Sequence, residues 1–218
     1  MSTSVVVFTR DLRVHDQPAL AEAAATSERV VPLFVLDDSI LRLASPNRLA
    51  FLLDALDDLR LSPRARGADL VIRRGDPAAE TMRVARKARA SRVFVGEDAS
   101  AYAGAREGRL AAACGAERIE LRVVNTTSVV PPGDVTPAGR DHYRVFTPYW
   151  RRWQAVPLRA PLPAPRRLRL PAKLRPGTVP ALRGLTSAAP SPGLPTGGER
   201  RGTPPARRLA PEPGWAGP

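Results

Sequence analysis

Leu70-Val-Ile-Arg-Arg-Gly-Asp-Pro77 holds a complete strand-to-helix junction. Leu70–Ile72 reads as a short buried strand, Arg73–Gly75 as a polar turn, and Asp76 as an N-cap ahead of a helix-starting proline. The helix that follows is expected to reach about Ala90. The same unit recurs on both sides. Val5-Val-Val-Phe8 leads through a charged loop to Pro18-Ala-Leu-Ala-Glu-Ala-Ala-Ala25, and Val30-Val-Pro-Leu-Phe-Val-Leu36 leads to Ser45-Pro46. After Pro46, Leu49, Leu52, Leu53, Leu56 and Leu59 recur at helical spacing and make one apolar stripe. Val93-Phe-Val95 precedes a helix from Ala103 to about Ala113, and Ile119-Glu-Leu-Arg-Val-Val124 supplies a fifth strand. Strands that alternate with helices pair in parallel, and right-handed crossovers place the helices on both faces. The fold expected for residues 1–155 is therefore α/β, a doubly wound five-stranded parallel sheet of Rossmann-like type.

The remainder, residues 156–218, is of another kind. The last 68 of the 218 residues hold 15 of the 24 prolines and 13 of the 34 Lys+Arg. Their only acids are Glu199 and Glu212, so +11 of the chain's net +13 lies there and residues 1–150 are nearly neutral. A uniformly basic nucleic-acid-binding domain is excluded, although such a tail permits non-specific, salt-sensitive binding to nucleic acid. With prolines every few residues and little apolar periodicity, the tail is expected to be disordered or loosely draped. The single cysteine, Cys114, rules out a disulfide framework and a cysteine-based zinc site. Two histidines, His15 and His142, argue against a histidine-rich metal centre or a histidine-based triad. There is no run of about 18 apolar residues and no basic leader, and with the free thiol this points to a cytoplasmic protein.

In doubly wound sheets, ligands bind beyond the carboxyl ends of the strands. Those ends are polar here: Thr9-Arg10-Asp11, Asp37-Asp38, Arg73-Arg74-Gly75-Asp76 and Gly96-Glu97-Asp98. Such a rim suits a heterocycle held by polar groups, with Asp98 the foremost ligand candidate. Asp76 serves as a helix cap in any case, and Asp37 and Asp38 suit a turn as well as a contact. There is no Walker-type loop and no G-x-G-x-x-G after the first strand, so no backbone cradle for a polyphosphate is expected. No Ser or Cys nucleophile has a paired base. These features stop at a ligand-binding α/β domain without catalytic residues, for which a stand-alone nucleotide- or small-ligand-binding regulator is one reading.

Four motifs add a resemblance. Val7-Phe-Thr-Arg-Asp-Leu-Arg-Val-His-Asp-Gln-Pro-Ala-Leu20 resembles the opening of the DNA photolyase/cryptochrome family. Arg48-Leu-Ala-Phe-Leu-Leu-Asp-Ala-Leu-Asp-Asp-Leu59 and Leu70–Pro77 are similar to the family's next two motifs. His142-Tyr-Arg-Val-Phe-Thr-Pro-Tyr-Trp150 with Trp153 resembles the signature that closes its first domain. The matches run in family order over about residues 4–155. The resemblance implies an antenna domain that holds a light-harvesting chromophore, either 8-hydroxy-5-deazaflavin or a reduced folate (methenyltetrahydrofolate). FAD and the DNA lesion belong to a larger helical domain in full-length relatives. Contacts of deazaflavin-type members fall on Leu36, Asp37, Asp38, Ile40, Arg48 and Asp98. Folate-type members use a Glu after the fourth strand where this chain has Ala103, which favours the deazaflavin. The R-D-R-D stretch common beside that site reads Gly104-Ala-Arg-Glu107 here.

The resemblance also implies that a helical FAD domain should follow the linker. Pro204 and Pro205 forbid a helix there, so the tail is expected to be aberrant and the FAD domain missing. Chromophore binding, without pyrimidine-dimer repair by this chain alone, is the expected activity. DNA would be a partner only through the absent part. The chain should be a monomer or associate weakly through a docking face bearing Phe146, Trp150 and Trp153, unless those rings pack the last helix onto the sheet.

Overall fold

The computed structural model describes residues 2–131 and 133–202. Five strands, β1 (Thr3–Phe8), β2 (Arg29–Leu36), β3 (Val71–Arg74), β4 (Arg92–Gly96) and β5 (Glu120–Val124), form one sheet in the order β3-β2-β1-β4-β5. Every pairing is parallel. Helices α1 (Pro18–Thr26), α3 (Pro46–Arg64), α4 (Pro77–Ala88) and α5 (Ala101–Ala116) provide the crossovers, and one turn, α2 (Asp38–Leu41), follows β2 directly. The α/β, doubly wound expectation holds, and the caps lie where the side chains require. Ser45 Oγ accepts from Arg48 N ahead of Pro46, and Asp76 Oδ1 accepts from Ala79 N at 2.9 Å ahead of Pro77.

Alternation along the strands divides the core into two layers. Val5, Val7, Val31, Leu33, Val71, Val93 and Val95 face α4 and α5, where Met82, Val84, Leu110 and Cys114 complete the layer. Val6, Phe8, Val30, Phe34, Leu36, Ile72 and Phe94 face α1 and α3, against Leu20, Leu49, Leu56 and Leu59. Cys114 is buried beside Met82, Sγ to Sδ 3.7 Å, and burial pushes its thiol pKa up, as suits an inert packing residue. The order of strands reverses at β1: the chain builds outward through β2 and β3, then returns to place β4 on the other side. That switch lies between the carboxyl ends of β1 and β4.

Helix α6 (Phe146–Gln154) does not pack onto the sheet, for none of its residues is buried. Phe146 stacks on Trp150 with centroids 6.1 Å apart, and Trp150 on Trp153 at 5.2 Å, which leaves a largely exposed aromatic ladder flanked by Arg151 and Arg152. Of the two readings of the tail, residues 156–202 follow the draped one. Leu168 N–H donates to Arg66 O at 2.8 Å, Val30 N–H to Arg169 O at 3.0 Å and Ile72 N–H to Pro176 O at 2.7 Å. Leu168 enters the α1/α3 layer and Leu174 the α4/α5 layer, so this strap belongs to both cores. Pro204 and Pro205, and the sequence expectation made for them, lie outside the described residues.

Candidate functional site

A cavity of about 690 Å³ opens at the switch point, walled by the ends of β1 and β2, by α3, and by the start of α5. Its floor is apolar, from Val7, Phe8, Phe34, Leu49 and Leu52. Phe8, Phe34, Leu49 and Leu52 belong to the α1/α3 layer and Val7 to the α4/α5 layer, so the cavity continues the core outward rather than interrupting it. Polar groups gather at one edge. Arg10 Nη2 pairs with Asp98 Oδ2 at 2.9 Å, and Asp98 Oδ1 accepts from Ser100 N at 2.9 Å. Burial raises the pKa of Asp98, but the Ser100 hydrogen bonds and the charges of Arg10 and Arg106 outweigh it and hold the carboxyl below its ordinary value.

Asp37, the N-cap of α2, also lines the cavity. Its Oδ1 accepts from Ser39 N at 2.8 Å and Ser39 Oγ at 2.7 Å, while Oδ2 accepts from the Tyr102 hydroxyl. Burial alone would raise its pKa, and the bonds from Tyr102 and Ser39 bring it below 3.8. Its stabilising contribution is therefore present above pH 3.8 and is lost as pH falls through the lower folded value. Burial and the Asp37 carboxylate push Tyr102 up to about 12. The phenol is a donor at neutral pH, and its stabilising contribution is full below 10.0 and is lost as pH rises to about 12. An ultraviolet difference titration of the wild type against Tyr102→Phe should show the missing phenolate step near 12. A missing step near 10.0 would mean that the two groups do not meet in solution.

The sequence-derived residues are distributed unevenly. Leu36, Asp37, Ile40, Arg48 and Asp98 line the cavity. Asp38 lies beyond that lining and pairs with Arg74 Nε at 2.7 Å. Asp76 is occupied as a cap and by Arg109 Nη2 at 3.3 Å. Arg73 turns away and donates to the strap carbonyls of Arg175 and Pro176. Asp11 is buried and bonded by Gln17 Nε2 at 2.5 Å, which fixes the β1–α1 loop.

Three polar lining residues were missed by strand-end reasoning, Ser100, Tyr102 and Arg106, because they lie in α5 or at its N-cap. Arg106 is only 7 % exposed. Its guanidinium lies 5.8 Å from the Tyr102 ring centroid and its Nη2 3.5 Å from Glu107 Oε1, while its buried Nε has no hydrogen-bond partner. A signal existed. The buried face of α5 runs Ala103, Arg106, Leu110, Cys114, and an arginine in an apolar stripe calls for a polar partner. Among the described residues no cluster of His, Cys, Asp and Glu could hold a metal ion, and no helix is long and apolar enough to cross a membrane.

Residues 4–166 match the family model for DNA photolyase. The chain belongs to the DNA photolyase family. It is 43% identical over 206 residues to the deoxyribodipyrimidine photo-lyase of Streptomyces griseus, covering 93% of this chain and 45% of that protein. It is 34% identical over 205 residues to the corresponding Halobacterium salinarum enzyme, covering 87% and 42%. The chain thus spans less than half the length of these curated relatives. In fold it resembles a bacterial class III photolyase from Agrobacterium tumefaciens, with a TM-score of 0.75, 23% identity, and coverage of 88% of this chain and 39% of that one. It also resembles an archaeal photolyase from Sulfolobus tokodaii that contains two FAD molecules, with a TM-score of 0.72, 23% identity, and coverage of 91% and 44%. These likenesses lend no support to a stand-alone nucleotide-binding regulator.

Proposed function

We propose that this chain is the light-harvesting part of a photolyase or cryptochrome and that the switch-point cavity holds a flat antenna chromophore. The buried Arg106 beside that cavity carries the reading. An unsatisfied buried donor costs about 1–3 kcal/mol, and a ring carbonyl of a bound heterocycle would supply the acceptor that Arg106 Nε lacks. The volume is of the size that takes a small cofactor, and apolar walls with polar groups at one edge suit a fused ring system. The residues present therefore fit such a group. Phe8, Phe34 and Leu52 would bury its faces and exclude water; Arg10, Arg48, Asp98 and Arg106 would orient its polar edge. The chromophore, when bound, supplies absorption and passes on excitation energy. Passing on energy requires a fixed orientation and no acid–base group.

Of the candidate chromophores, 8-hydroxy-5-deazaflavin is favoured over methenyltetrahydrofolate. Ala103, where folate-type members carry a Glu, is a buried methyl that can accept no hydrogen bond. DNA recognition and FAD-dependent, light-driven repair are proposed for full-length relatives and not for this chain alone. The test is binding of 8-hydroxy-5-deazaflavin, methenyltetrahydrofolate and FAD to the purified chain, followed by fluorescence and absorbance. FAD is included because the Sulfolobus structure, which contains two FAD molecules, implicates a novel light-harvesting cofactor. Preferential binding of the deazaflavin is expected. Tighter binding of either other compound would overturn the choice of chromophore, and binding of none would overturn the antenna reading.

A further inference from the structure

The strap leaves the α/β body after α6, runs over both core layers, and returns to the loop where its contacts began. At its start, Asp16 N–H donates to Leu162 O at 2.8 Å, Leu162 N–H donates to Asp16 Oδ1 at 3.1 Å, and Arg159 pairs with the same carboxylate. Some 37 residues later, Glu199 Oε2 accepts from Val14 N at 2.9 Å and Oε1 from His15 N at 3.0 Å, with His15 Nδ1 also 3.0 Å from Oε1. Three consecutive residues of the β1–α1 loop therefore hold both ends. The loop is stiffened for this. Asp16 has φ +47, a conformation uncommon for a residue with a side chain, and Arg13 donates both to Asp16 O at 2.7 Å and to Thr126 O at 2.7 Å.

The returning end is fitted as closely. Gly198 has φ +127, and a Cβ there would lie 2.5 Å from Asp58 Cβ on α3. Arg200 N–H donates to Asp58 Oδ2 at 3.0 Å, and its Nε lies 2.9 Å from Oδ1 of that mostly buried carboxylate. Asn47 and Ser191 exchange a further pair of hydrogen bonds at 2.7 and 2.9 Å along the way.

We propose that residues 14–16 form a clasp, with Glu199 as its pin, which closes both ends of the strap on the α/β body. The same loop carries Arg10 to the cavity, so the clasp sets the position of Glu199 and Arg200 relative to the cavity edge. Amide hydrogen exchange on the full 218-residue chain tests it directly. In the wild type the Val14 and His15 amides should be protected. In Glu199→Ala they should exchange at least about tenfold faster, together with residues 186–198, while β1–β5 remain protected. Gly198→Ala, with the carboxylate intact, should open the same segment because its backbone can no longer lie against Asp58. Wild-type Val14 and His15 amides that exchange as fast as in Glu199→Ala would overturn the clasp, whether or not a chromophore binds. So would Glu199→Ala that leaves residues 186–198 as protected as before.

Discussion

Asp98→Asn is expected to weaken chromophore binding by about 10- to 100-fold, which corresponds to about 1.4–2.8 kcal/mol. The carboxylate side chain is 7% exposed and is the counter-charge to Arg10 at the cavity edge, with Arg106 close enough to lower its pKa. Removing its charge leaves two cations facing the same space and exchanges a charge-assisted contact for a neutral one. The comparison that gives this meaning is Asp76→Ala. Asp76 stands on the same strand-end rim but outside the cavity, capping α4. Its loss should cost about 0.5–2 kcal/mol of stability and leave binding unchanged. Titration of the retained chromophore against denaturation of both variants separates the two effects. Equal affinities for Asp98→Asn and wild type would remove Asp98 from the site. Since the Asp98 carboxyl is held below its ordinary 3.8, binding that depends on its charge should stay level as pH is lowered to that value and fall beneath it.

The sheet was legible because each unit carried its own punctuation. Val5–Phe8 and Val93–Val95 are short apolar runs, and Ser45-Pro46 and Asp76-Pro77 mark helix starts that no other local structure explains as well. The rim of strand ends followed from the alternation of strands and helices, while the strand order, with β4 beside β1, is what locates the cavity on that rim. What could not be read is which polar groups at the strand ends point inward. Arg73 and Arg74 are adjacent, yet one ties down the strap and the other pairs with Asp38. Arg106, which lines the cavity near Asp98, comes from the body of a helix, where position along a strand says nothing. The strap was illegible for a different reason. Leu168, Leu170 and Leu174 lie among prolines in a segment with little sustained apolar periodicity, and a proline-rich segment alone buries too little to order itself. It need only cover a core already assembled, and its prolines leave less chain entropy to lose.

That difference predicts the size of a second effect. Leu168 and Leu174 are 3% and 6% exposed and lie in opposite layers of the core. Truncating either to alanine should destabilise the domain by about 2–5 kcal/mol, the range for a buried leucine that leaves a partly collapsed cavity. Because the sheet separates the two layers, the double variant should equal the sum within about 0.5 kcal/mol. The combined loss is a large part of the about 5–15 kcal/mol available to a typical domain, so the double variant should be partly unfolded without denaturant. Urea unfolding of the two single variants and the double variant decides the matter. Losses below about 0.5 kcal/mol, the scale of ordinary surface substitutions, would mean that the strap lies on the surface and adds nothing to either core. Losses in the predicted range would make residues 156–202 part of the folding unit, since a boundary at residue 155 cuts through both cores.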